Sequence, residues 1–333
     1  MEIIKALEKS GLVGLGGAGF PTYKKWQMVK DAKDQKRFVI CNLMEGEPGV
    51  FKDEYIIKHH LSELIAGIEL AAGTIFAQKS YIFLNDKYKK YQAKITKHLR
   101  GKKIEIFIDT GRYLCGEEST LLQVMEGKIR QPRSKPPFPT TVGLFGYPTL
   151  INNAETLYRA YLVSEGKYLP KRFYSLSGDL VQKQIIEAPT TSTIKDVINN
   201  QSILKSTKFY RIAGTSGYFL PADKIDEIID GTGAIEIFGL KRKIFSSLTE
   251  SILFLKTESC GKCTPCREGS YRIAEKLNQL AVSNSLWDKK EMFEIISEIA
   301  KNASDSSFCA LGKSISRPVM SAIEHFKAEL CGE

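Results

Sequence analysis

Hydrophobic and polar positions along the first half of the chain alternate between two periodicities, which predict helices and strands in turn. Short apolar runs typical of buried strands lie at 38–41, 81–84 and 104–108. Segments with the spacing of amphipathic helices lie at 2–10, 58–77 and 87–99. A further helix is expected to begin next to Thr22, whose hydroxyl could cap it, and to run through Lys25. Strands that alternate with helices indicate an α/β domain built around a parallel sheet.

The hydrophobic pattern changes near residue 169 and again near residue 241. Short strands are expected at 172–180, 185–188, 208–212 and 235–238, with one helix at 194–199. Helices are then expected at 242–257, 268–282, 288–301 and 313–329. The sequence therefore predicts three parts, which are an α/β domain over 1–168, a compact α+β module over 169–240 and a helix bundle over 241–333.

Composition and charge narrow the class of protein. The chain has 333 residues, 43% of them hydrophobic and 26% charged, as in an ordinary folded protein. Its net charge is +10, but the lysines are dispersed and lack interleaved aromatic residues, which favours a solvated face over a nucleic-acid or lipid surface. No signal-peptide pattern or membrane-spanning stretch is evident, and seven cysteines without a leader do not indicate a disulfide framework. We expect a cytoplasmic protein with no nucleic-acid partner and no direct membrane insertion.

Four cysteines carry the most specific chemical signal. Cys260, Cys263 and Cys266 form a C-x-x-C-x-x-C run between two predicted helices, and Cys309 lies between the next two. Three thiolates around one small loop, completed by a distant fourth, are typical of a [4Fe–4S] cluster. A structural zinc site is the alternative, although zinc more often uses two separated C-x-x-C pairs.

A glycine-rich loop precedes the second predicted helix. Gly14, Gly16 and Gly19 match G-x-G-x-x-G, but the loop follows a helix, whereas the dinucleotide fingerprint follows a strand. Glycines still allow the backbone to approach a flat ring or a phosphate, and a helix start attracts anions. Contact with a ligand is favoured over an ordinary flexible loop.

Two acidic turns are candidates for ligand contact. Glu45 and Glu47 follow the strand predicted at 38–41, where ligands bind in open α/β sheets, but a solvated acidic turn would have the same sequence. Glu117 and Glu118 precede a helix and could face ribose hydroxyls, or could simply favour the helix dipole.

Two further turns carry polar side chains suited to ligands. Lys135 precedes Pro-Pro-Phe-Pro, and this rigid basic loop could hold a phosphate or be a surface turn. Asn152 and Asn153 are typical of a helix cap with a spare amide. Cys41 and Cys115 are interpreted as small buried apolar residues rather than redox groups.

The motifs together resemble the NADH-binding flavoprotein subunit of respiratory complex I and its relatives in NAD-linked hydrogenases and formate dehydrogenases. The matching segments, in the order of that family, are 16–22, 45–49 with Lys52-Asp53, 115–118, 135–139, 152–156 and 258–269. The resemblance implies FMN, a [4Fe–4S] cluster, NAD(H) as substrate, and a β-grasp-like middle module. It further implies a thioredoxin-like [2Fe–2S] subunit and a larger iron–sulfur subunit as partners, and a position peripheral to the inner membrane through them.

The resemblance also assigns residues, with Glu45 added as a cofactor-binding candidate at the strand end. The implied FMN contacts are Gly14, Gly16, Gly17, Lys25, Asn42, Tyr113, Gly116, Glu117, Asn152, Asn153 and Thr156. The implied NADH contacts are Phe20, Glu47, Glu118, Lys135 and Phe138. The implied cluster ligands are Cys260, Cys263, Cys266 and Cys309. No side chain need act as acid or base, because hydride transfer belongs to the cofactors.

Three positions depart from the family pattern. Leu15 stands where the family has Arg, Met44 where it has an acidic residue, and Met28 where it has an aromatic residue. The favoured function is oxidation of NADH with electrons passed to the cluster. One alternative is the same module run in reverse to reduce NAD⁺. Another is a relay subunit that keeps the cluster but has lost NADH binding.

Overall fold

The computed structural model describes residues 2–179, 181–282 and 286–332, so that the predicted strand end at Leu180 lies outside the described residues. The chain forms two compact units. The first comprises Met1–Gly46, Val50–Phe173 and Glu187–Thr190, and the second comprises Glu47–Gly49, Tyr174–Ile186 and Thr191–Glu333. This division leaves residues 191–240 in one unit with the C-terminal helices, and the boundaries at 168 and 240 stay a prediction.

The first unit is built on a four-stranded sheet. Its strands are β1 (Phe38–Leu43), β2 (Lys79–Asn85), β3 (Ile104–Asp109) and β4 (Thr149–Asn153). They lie in the order β3-β2-β1-β4, and every neighbouring pair is parallel. Its helices are α1 (Ile3–Ser10), α2 (Thr22–Lys30), α3 (Lys52–His59), α4 (Leu61–Ile75), α5 (Gln92–His98), α6 (Glu118–Met125) and α7 (Ala154–Ser164). The predicted α/β domain with a parallel sheet is confirmed.

The strand order creates a switch point between β1 and β4. From β1 the chain builds outward through β2 and β3 on one side, then returns to place β4 on the other side. The register pairs Asn42 of β1 with Asn153 of β4, and Cys41 with Asn152. Ligands of open α/β sheets bind outside the carboxyl ends of strands at such a point. The asparagines therefore lie where this topology favours a ligand.

Several sequence predictions for this unit need correction. The helix expected at 58–77 is α4, which begins at Leu61 because the backbone leaves helical geometry at His60, and most of the preceding α3 was not predicted. Thr22 is the first residue of α2 rather than its cap, since Pro21 occupies that position and Thr22 makes no capping hydrogen bond. Strand β4 was not predicted, because its asparagines were interpreted only as a helix cap. Asn153 does both, since its side chain accepts a hydrogen bond from the backbone N–H of Glu155.

The second unit combines a five-stranded sheet with helices. Its strands are β5 (Lys171–Gly178), β6 (Gln184–Pro189), β7 (Thr207–Ile212), β8 (Tyr218–Pro221) and β9 (Ala234–Gly239). They lie in the order β6-β5-β9-β7-β8, with β9 parallel to β5 and antiparallel to β7. Two short helices accompany them, α8 (Ile194–Ile198) and α9 (Gln201–Ser206). Strand β8 and helix α9 were not predicted, because each is short and lacks a clear period.

The C-terminal part of the second unit is helical, as predicted. Its helices are α10 (Ile244–Glu258), α11 (Thr264–Val282), α12 (Leu286–Ser306), α13 (Ala310–Lys313) and α14 (Ser316–Cys331). Every helix expected here is present, and the short α13 is an addition to the predicted four. No helix among the described residues is both long enough and apolar enough to span a bilayer.

A buried ion pair joins two strands of the second sheet. Arg211 of β7 lies opposite Glu236 of β9, and its Nε and Nη2 donate to the two carboxylate oxygens at 2.7 and 3.0 Å. Such a two-pronged pair has strict geometry, and it satisfies most of the hydrogen-bonding capacity of two side chains that are less than 9% exposed. The pair therefore favours this register of β7 against β9.

Substitution of Gly67 tests the close approach of α4 to α7. A Cβ at Gly67 would lie 2.8 Å from the carbonyl carbon of Leu157, and even closer to its oxygen. We expect Gly67→Ala to lower the free energy of unfolding by about 1–3 kcal/mol, because the backbones must separate. Gly73, on the same helix, has nothing within 4 Å of its Cβ position. Gly73→Ala should instead stabilise the chain by about 0.4–1 kcal/mol. The melting temperatures of the two variants measure this difference. Equal effects of the two substitutions would contradict the close approach of α4 to α7.

Candidate functional site

Three asparagines at the switch point have fixed side-chain orientations. Asn42 donates from Nδ2 to the carbonyl of Gly116 at 3.0 Å and accepts from the N–H of Met44 at 3.0 Å. Asn152 accepts a 3.0 Å hydrogen bond from Nε1 of Trp26. These bonds use the oxygen of Asn152 and leave its amide nitrogen to serve as a donor.

The glycine-rich loop closes against the start of α7. Its ends pair, since Gly14 N–H donates to the carbonyl of Phe20 at 2.9 Å. The N–H of Leu15 donates to Oγ1 of Thr156 at 2.9 Å, which attaches the loop to α7. A Cβ at Gly16 would lie 3.3 Å from Cβ of Asn153, so that a side chain there would crowd the asparagine. The loop thus brings exposed backbone to the switch point.

Lys52 orients Asn153 from within the core. The Lys52 side chain is 3% exposed, and its Nζ donates to Oδ1 of Asn153 at 2.9 Å. The same ammonium lies 3.3 Å from Oδ1 of Asp53 and 3.5 Å from Oε2 of Glu155. Since Oδ1 of Asn153 accepts from both Lys52 and the Glu155 backbone, its amide NH₂ group is directed away from the core. We name Glu45, Lys52, Asp53, Asn153 and Glu155 the switch-point charge cluster.

Glu45 belongs to the same cluster and has an altered acidity. Its Oε1 accepts a 3.0 Å hydrogen bond from the N–H of Asp53, and its Oε2 accepts from the hydroxyl of Tyr88. Burial raises the pKa of Glu45 to about 7, and the negative charge of Asp53 adds to the rise while Lys52 opposes it. Burial works against charge on Lys52 too, yet Asp53 and Glu155 keep the pKa of Lys52 above its ordinary value. Glu45 is therefore the carboxyl of this cluster that titrates near neutral pH.

The two glutamates of the acidic turn, Glu117 and Glu118, make different contacts. Glu117 caps α6, since its Oε2 accepts from the N–H of Thr120 at 2.8 Å, and its Oε1 binds Lys135 at 2.7 Å. Burial would raise the pKa of Glu117, but the hydrogen bonds from Lys135 and Ser119 hold it below its ordinary value. Glu118 is one-third exposed and forms an ion pair with Lys25. Candidate ligand-binding residues are thus paired with each other.

The remaining candidates of the first unit differ in exposure. Phe20 is 46% exposed and Phe138 is 51% exposed, which is unusual for aromatic rings and leaves their faces open for stacking. Met28 is 46% exposed, whereas Leu15 and Met44 are both 4% exposed. Met44 packs into an apolar cluster with side chains such as Phe83. Two of the three departures from the family pattern are therefore core residues in this structure.

Glu47 lies in the second unit, apart from the other nucleotide candidates in the chain division. It is 6% exposed, and its carboxylate accepts hydrogen bonds from Ser216, at 2.9 Å from the N–H and 2.6 Å from the hydroxyl. A Cβ at Gly214 would lie 2.8 Å from Oε1 of Glu47. Its role as an NADH contact stays a prediction, because these bonds already engage both oxygens.

The four cysteines predicted as cluster ligands lie at helix ends of the second unit. Cys260 and Cys263 lie between α10 and α11, Cys266 lies in the first turn of α11, and Cys309 immediately precedes α13. The loop is held by Arg267, whose Nη1 donates to the carbonyl of Gly261 at 2.8 Å. No group of three or more His, Cys, Asp or Glu side chains in the described ranges has the arrangement of a single-metal site.

Electrostatics connect these cysteines to one another. Cys266 is 5% exposed. The pKa of the Cys266 thiol is raised to about 11, mainly by burial; a hydrogen bond from Ser259 opposes the rise, and the nearby sulfurs of Cys263, Cys309 and Cys260 contribute to it. These electrostatic interactions place the four sulfur atoms near one another, and a bound metal centre would supply the positive charge that favours their thiolate forms.

The residues present fit both cofactors that the sequence suggests. Amide donors, an exposed glycine loop and the start of α7 suit a planar heterocycle with a phosphate. Soft sulfur donors at the ends of α10, α11 and α13 suit a cubane of iron and sulfide. The fold and these two sites define a class of oxidoreductase subunit that holds a flavin and an iron–sulfur cluster in one chain.

Comparison with known proteins gives the family. Residues 7–162 match the Nuo51 FMN-binding domain, and residues 247–331 match the NADH-ubiquinone oxidoreductase-F iron-sulfur binding region. An NADH-quinone oxidoreductase subunit of Rhizobium meliloti is 31% identical, over 98% of this chain and 87% of that protein. The corresponding NADH-quinone oxidoreductase subunit of Mycobacterium tuberculosis is 32% identical, over 98% of this chain and 83% of that protein. The chain belongs to this family of NADH-quinone oxidoreductase flavoproteins, whose cofactors are FMN and a [4Fe–4S] cluster.

A solved structure extends the similarity to the fold. An NAD⁺-reducing [NiFe]-hydrogenase in the H₂-reduced state matches with a TM-score of 0.92 and 30% identity, over 99% of this chain. The chain spans 62% of the length of that hydrogenase chain. The predicted resemblance, fold class and pair of cofactors are thus confirmed, whereas the roles of individual site residues stay predictions.

The structure brings together several of the predicted flavin contacts and adds residues that the sequence did not single out. Contacts or strand pairing link Asn42 with Gly116 and with Asn153, Leu15 with Thr156, and Lys25 with Glu118. The missed residues are Lys52, Asp53 and Glu155, which surround Asn153 and Glu45. All three lie in segments that match the family, and the signal that could have identified Lys52 and Asp53 is a charged pair that follows the Gly-Glu-Pro-Gly turn after two apolar residues.

The pH dependence of stability tests the environment of Glu45. Its pKa rises from 4.5 to about 7 on folding, so that the folded state binds more protons between these values. Stability should therefore fall as pH rises from 4.5 toward 7, and Glu45→Gln should remove that part of the fall. Glu54 provides the opposite sign, because a hydrogen bond from Lys90 lowers its pKa to about 2. Melting temperatures across pH measure both, and an unchanged profile in Glu45→Gln would contradict the assignment.

Cysteine variants test the cluster ligands. Cys309→Ala should lose the cluster, because one iron loses its thiolate. Cys331 is equally a cysteine of this region, but it is 1% exposed in the last turn of α14 and is not predicted to bind iron. Cys331→Ala should therefore keep its iron. Iron content and the electron paramagnetic resonance (EPR) signal of the reduced protein measure the difference, and loss in both variants would count against the selective role of Cys309.

Proposed function

We propose that the chain is the electron-input flavoprotein of a larger complex, which oxidises NADH and passes electrons one at a time to partner iron–sulfur subunits. FMN supplies acceptance of a hydride and release of single electrons, and the cluster carries those electrons onward. The contribution of the protein is to bind, orient and tune these groups. No side chain need act as acid or base, so that no catalytic residue is assigned.

The switch point of the parallel sheet is the observation that carries this proposal. Asn42 and Asn153 are paired across β1 and β4, and buried Lys52 directs the amide of Asn153 outward. A flavin ring needs such fixed donors at its polar edge. Lys25 supplies a positive charge for the phosphate, and the glycine loop lets backbone approach the ring.

Nucleotide binding is assigned to the exposed residues near this crevice. Phe20 and Phe138 offer aromatic faces for stacking, Lys135 offers a positive charge, and Glu118 offers oxygens for ribose hydroxyls. Lys25 is paired with Glu118 in this structure. If Lys25 turns to a phosphate, Glu118 is released to accept hydrogen bonds from the ribose, so that the first ligand prepares the site of the second.

Partners and location follow the family rather than the geometry. We infer a thioredoxin-like [2Fe–2S] subunit and a larger iron–sulfur subunit as partners. Through them the chain would be cytoplasmic and peripheral to the inner membrane. Copurification under mild conditions would identify these partners by mass spectrometry.

The reverse direction is a second candidate. Its specific support is the match to the NAD⁺-reducing hydrogenase, which covers 99% of this chain. The same contacts would then hold NAD⁺, because binding of the dinucleotide does not depend on the direction of electron flow. The identity of the copurifying complex separates the two.

The relay alternative predicts a different behaviour of the same site. Leu15, Met28 and Met44 are its basis in the sequence, yet Leu15 and Met44 are buried in the core. Only Met28, which is 46% exposed, could remove a stacking contact from the nucleotide. The relay would bind a cluster without reduction of bound flavin by either nucleotide.

Nucleotide choice tests the proposed function. A 2′-phosphate beside Glu118 would suffer repulsion between like charges, so that NADH should bleach the flavin at about ten- to hundredfold lower concentration than NADPH. Glu118→Gln should narrow that gap, since the amide carries no charge. Stopped-flow absorbance of the flavin under anaerobic conditions, at several concentrations of each nucleotide, gives the two ratios.

The control is Glu165→Gln, which changes an exposed carboxylate at the end of α7 and should leave the ratio unchanged. FMN content must be measured in each variant, because Glu118 is paired with Lys25. Equal bleaching of the parent protein by both nucleotides would refute the role of Glu118, and no bleaching by either would favour the relay.

A further inference from the structure

Cys266 has a hydroxyl neighbour that no assigned function requires. Oγ of Ser259 lies 3.3 Å from Sγ of Cys266, within hydrogen-bonding reach of sulfur. The same Oγ accepts a 3.4 Å hydrogen bond from the N–H of Gly261. A cysteine sulfur that binds iron has no proton, so that in the cluster-loaded protein the Ser259 hydroxyl would be the donor of this hydrogen bond.

A second hydroxyl lies on another side of Cys266. Ser307 is 6% exposed, and its Oγ is buried without a hydrogen-bond partner among the described residues. A Cβ added to Gly312 would overlap this hydroxyl and would also lie 2.9 Å from Cβ of Cys266. The side chains of Ser307 and Cys266 thus lie against the same side of Gly312 and close to each other, and Ser307 is two residues before Cys309.

The isolation of the Ser307 hydroxyl contrasts with other serines of this region. Ser314 donates to the carbonyl of Leu311 at 2.8 Å, and Ser270 donates to the carbonyl of Arg267 at 3.4 Å. Serines near helix ends commonly bond to the preceding turn in this way. A buried hydroxyl without a partner is costly to the fold, which makes a partner in the cofactor-loaded protein the expected state.

We propose that Ser259 and Ser307 are positioning residues that donate hydrogen bonds to sulfur at the Cys266 corner of the cluster and raise its reduction potential. Reduction adds negative charge that spreads over the cluster sulfurs. A donor stabilises the more negative state more strongly, so that the potential rises. The inference rests on the cluster being held by the four cysteines, as in the proposed function.

Two alanine variants test the proposal in the full-length, cluster-loaded protein. Ser259→Ala and Ser307→Ala should each shift the midpoint potential of the cluster to a more negative value, as measured by EPR-monitored redox titration. Ser314→Ala is the matched control, since its hydroxyl already serves the Leu311 carbonyl, and its potential should equal that of the parent protein. Ser259→Thr keeps the hydroxyl and should restore the parent potential.

A second measurement needs no variant. After exchange into D₂O, the reduced parent protein should show deuterium couplings from the two hydroxyls by electron–nuclear double resonance, and each alanine variant should lose part of them. Unchanged potentials with full iron content in both variants would overturn the proposal. So would absence of exchangeable couplings in the loaded parent, even if the variants lose iron. A parent protein that holds no iron would instead refute the cluster itself.

Discussion

The geometry of the proposed flavin site depends on a lysine ammonium that is buried beneath the carboxyl edge of the first sheet. Lys52 lies within 3.5 Å of acceptor atoms on Asn153, Asp53 and Glu155, all in one water-poor space. Burying a charge is costly unless partners compensate it, and removal of one partner from such a group commonly costs about 3–5 kcal/mol. The contacts of Lys52 therefore hold α3, the end of β4 and the start of α7 in fixed positions relative to one another. That arrangement fixes the direction of Asn153.

The same cluster explains the unusual acidity of Glu45. Three carboxylates, Glu45, Asp53 and Glu155, surround Lys52, and Arg159 lies 3.7 Å from Oε1 of Glu155. Burial is the largest cause of the raised pKa of Glu45, and the charge of Asp53 adds to it, whereas Lys52 and Lys87, 4.0 Å from Oε2, oppose it. Glu45 also accepts hydrogen bonds from Tyr88 and the Asp53 backbone, and burial outweighs these stabilising contacts. The protonation state of Glu45, beside the proposed flavin site, thus depends on the burial and the neighbouring charges that the fold imposes.

Local patterns predicted much of this molecule from its sequence. Cysteine spacing gave the predicted cluster ligands, and the glycine loop and the acidic and asparagine turns are local features that need no knowledge of distant contacts. The order of strands and helices also followed, because apolar periodicity reports burial directly. Strand β4 was missed, since residues 149–151, one of them a threonine, give too short an apolar signal, and the neighbouring strand β1 lies more than 100 residues away in the sequence.

Contacts between residues that lie far apart in the sequence could not be predicted, because local patterns carry no information about distant partners. No sequence signal links Ser216 to Glu47, 169 residues earlier, yet the two hydrogen bonds between them engage the Glu47 carboxylate. The position of the Ser307 hydroxyl beside Cys266 likewise depends on Gly312, whose lack of a side chain lets both residues pack against it. Such contacts arise from packing in three dimensions, and a sequence motif contains only one of the two residues that make each contact.

Anaerobic titration of the cofactor-loaded protein with NADH tests the central claim most directly, if flavin absorbance and the EPR signal of the cluster are recorded on the same samples. FMN takes two electrons and a [4Fe–4S] cluster takes one, so that about 1.5 equivalents of NADH should complete both changes when the potentials allow full reduction. We expect the flavin to bleach and the cluster signal to appear during the same titration. Reduction of the cluster by dithionite while excess NADH leaves both cofactors oxidised would contradict the central claim.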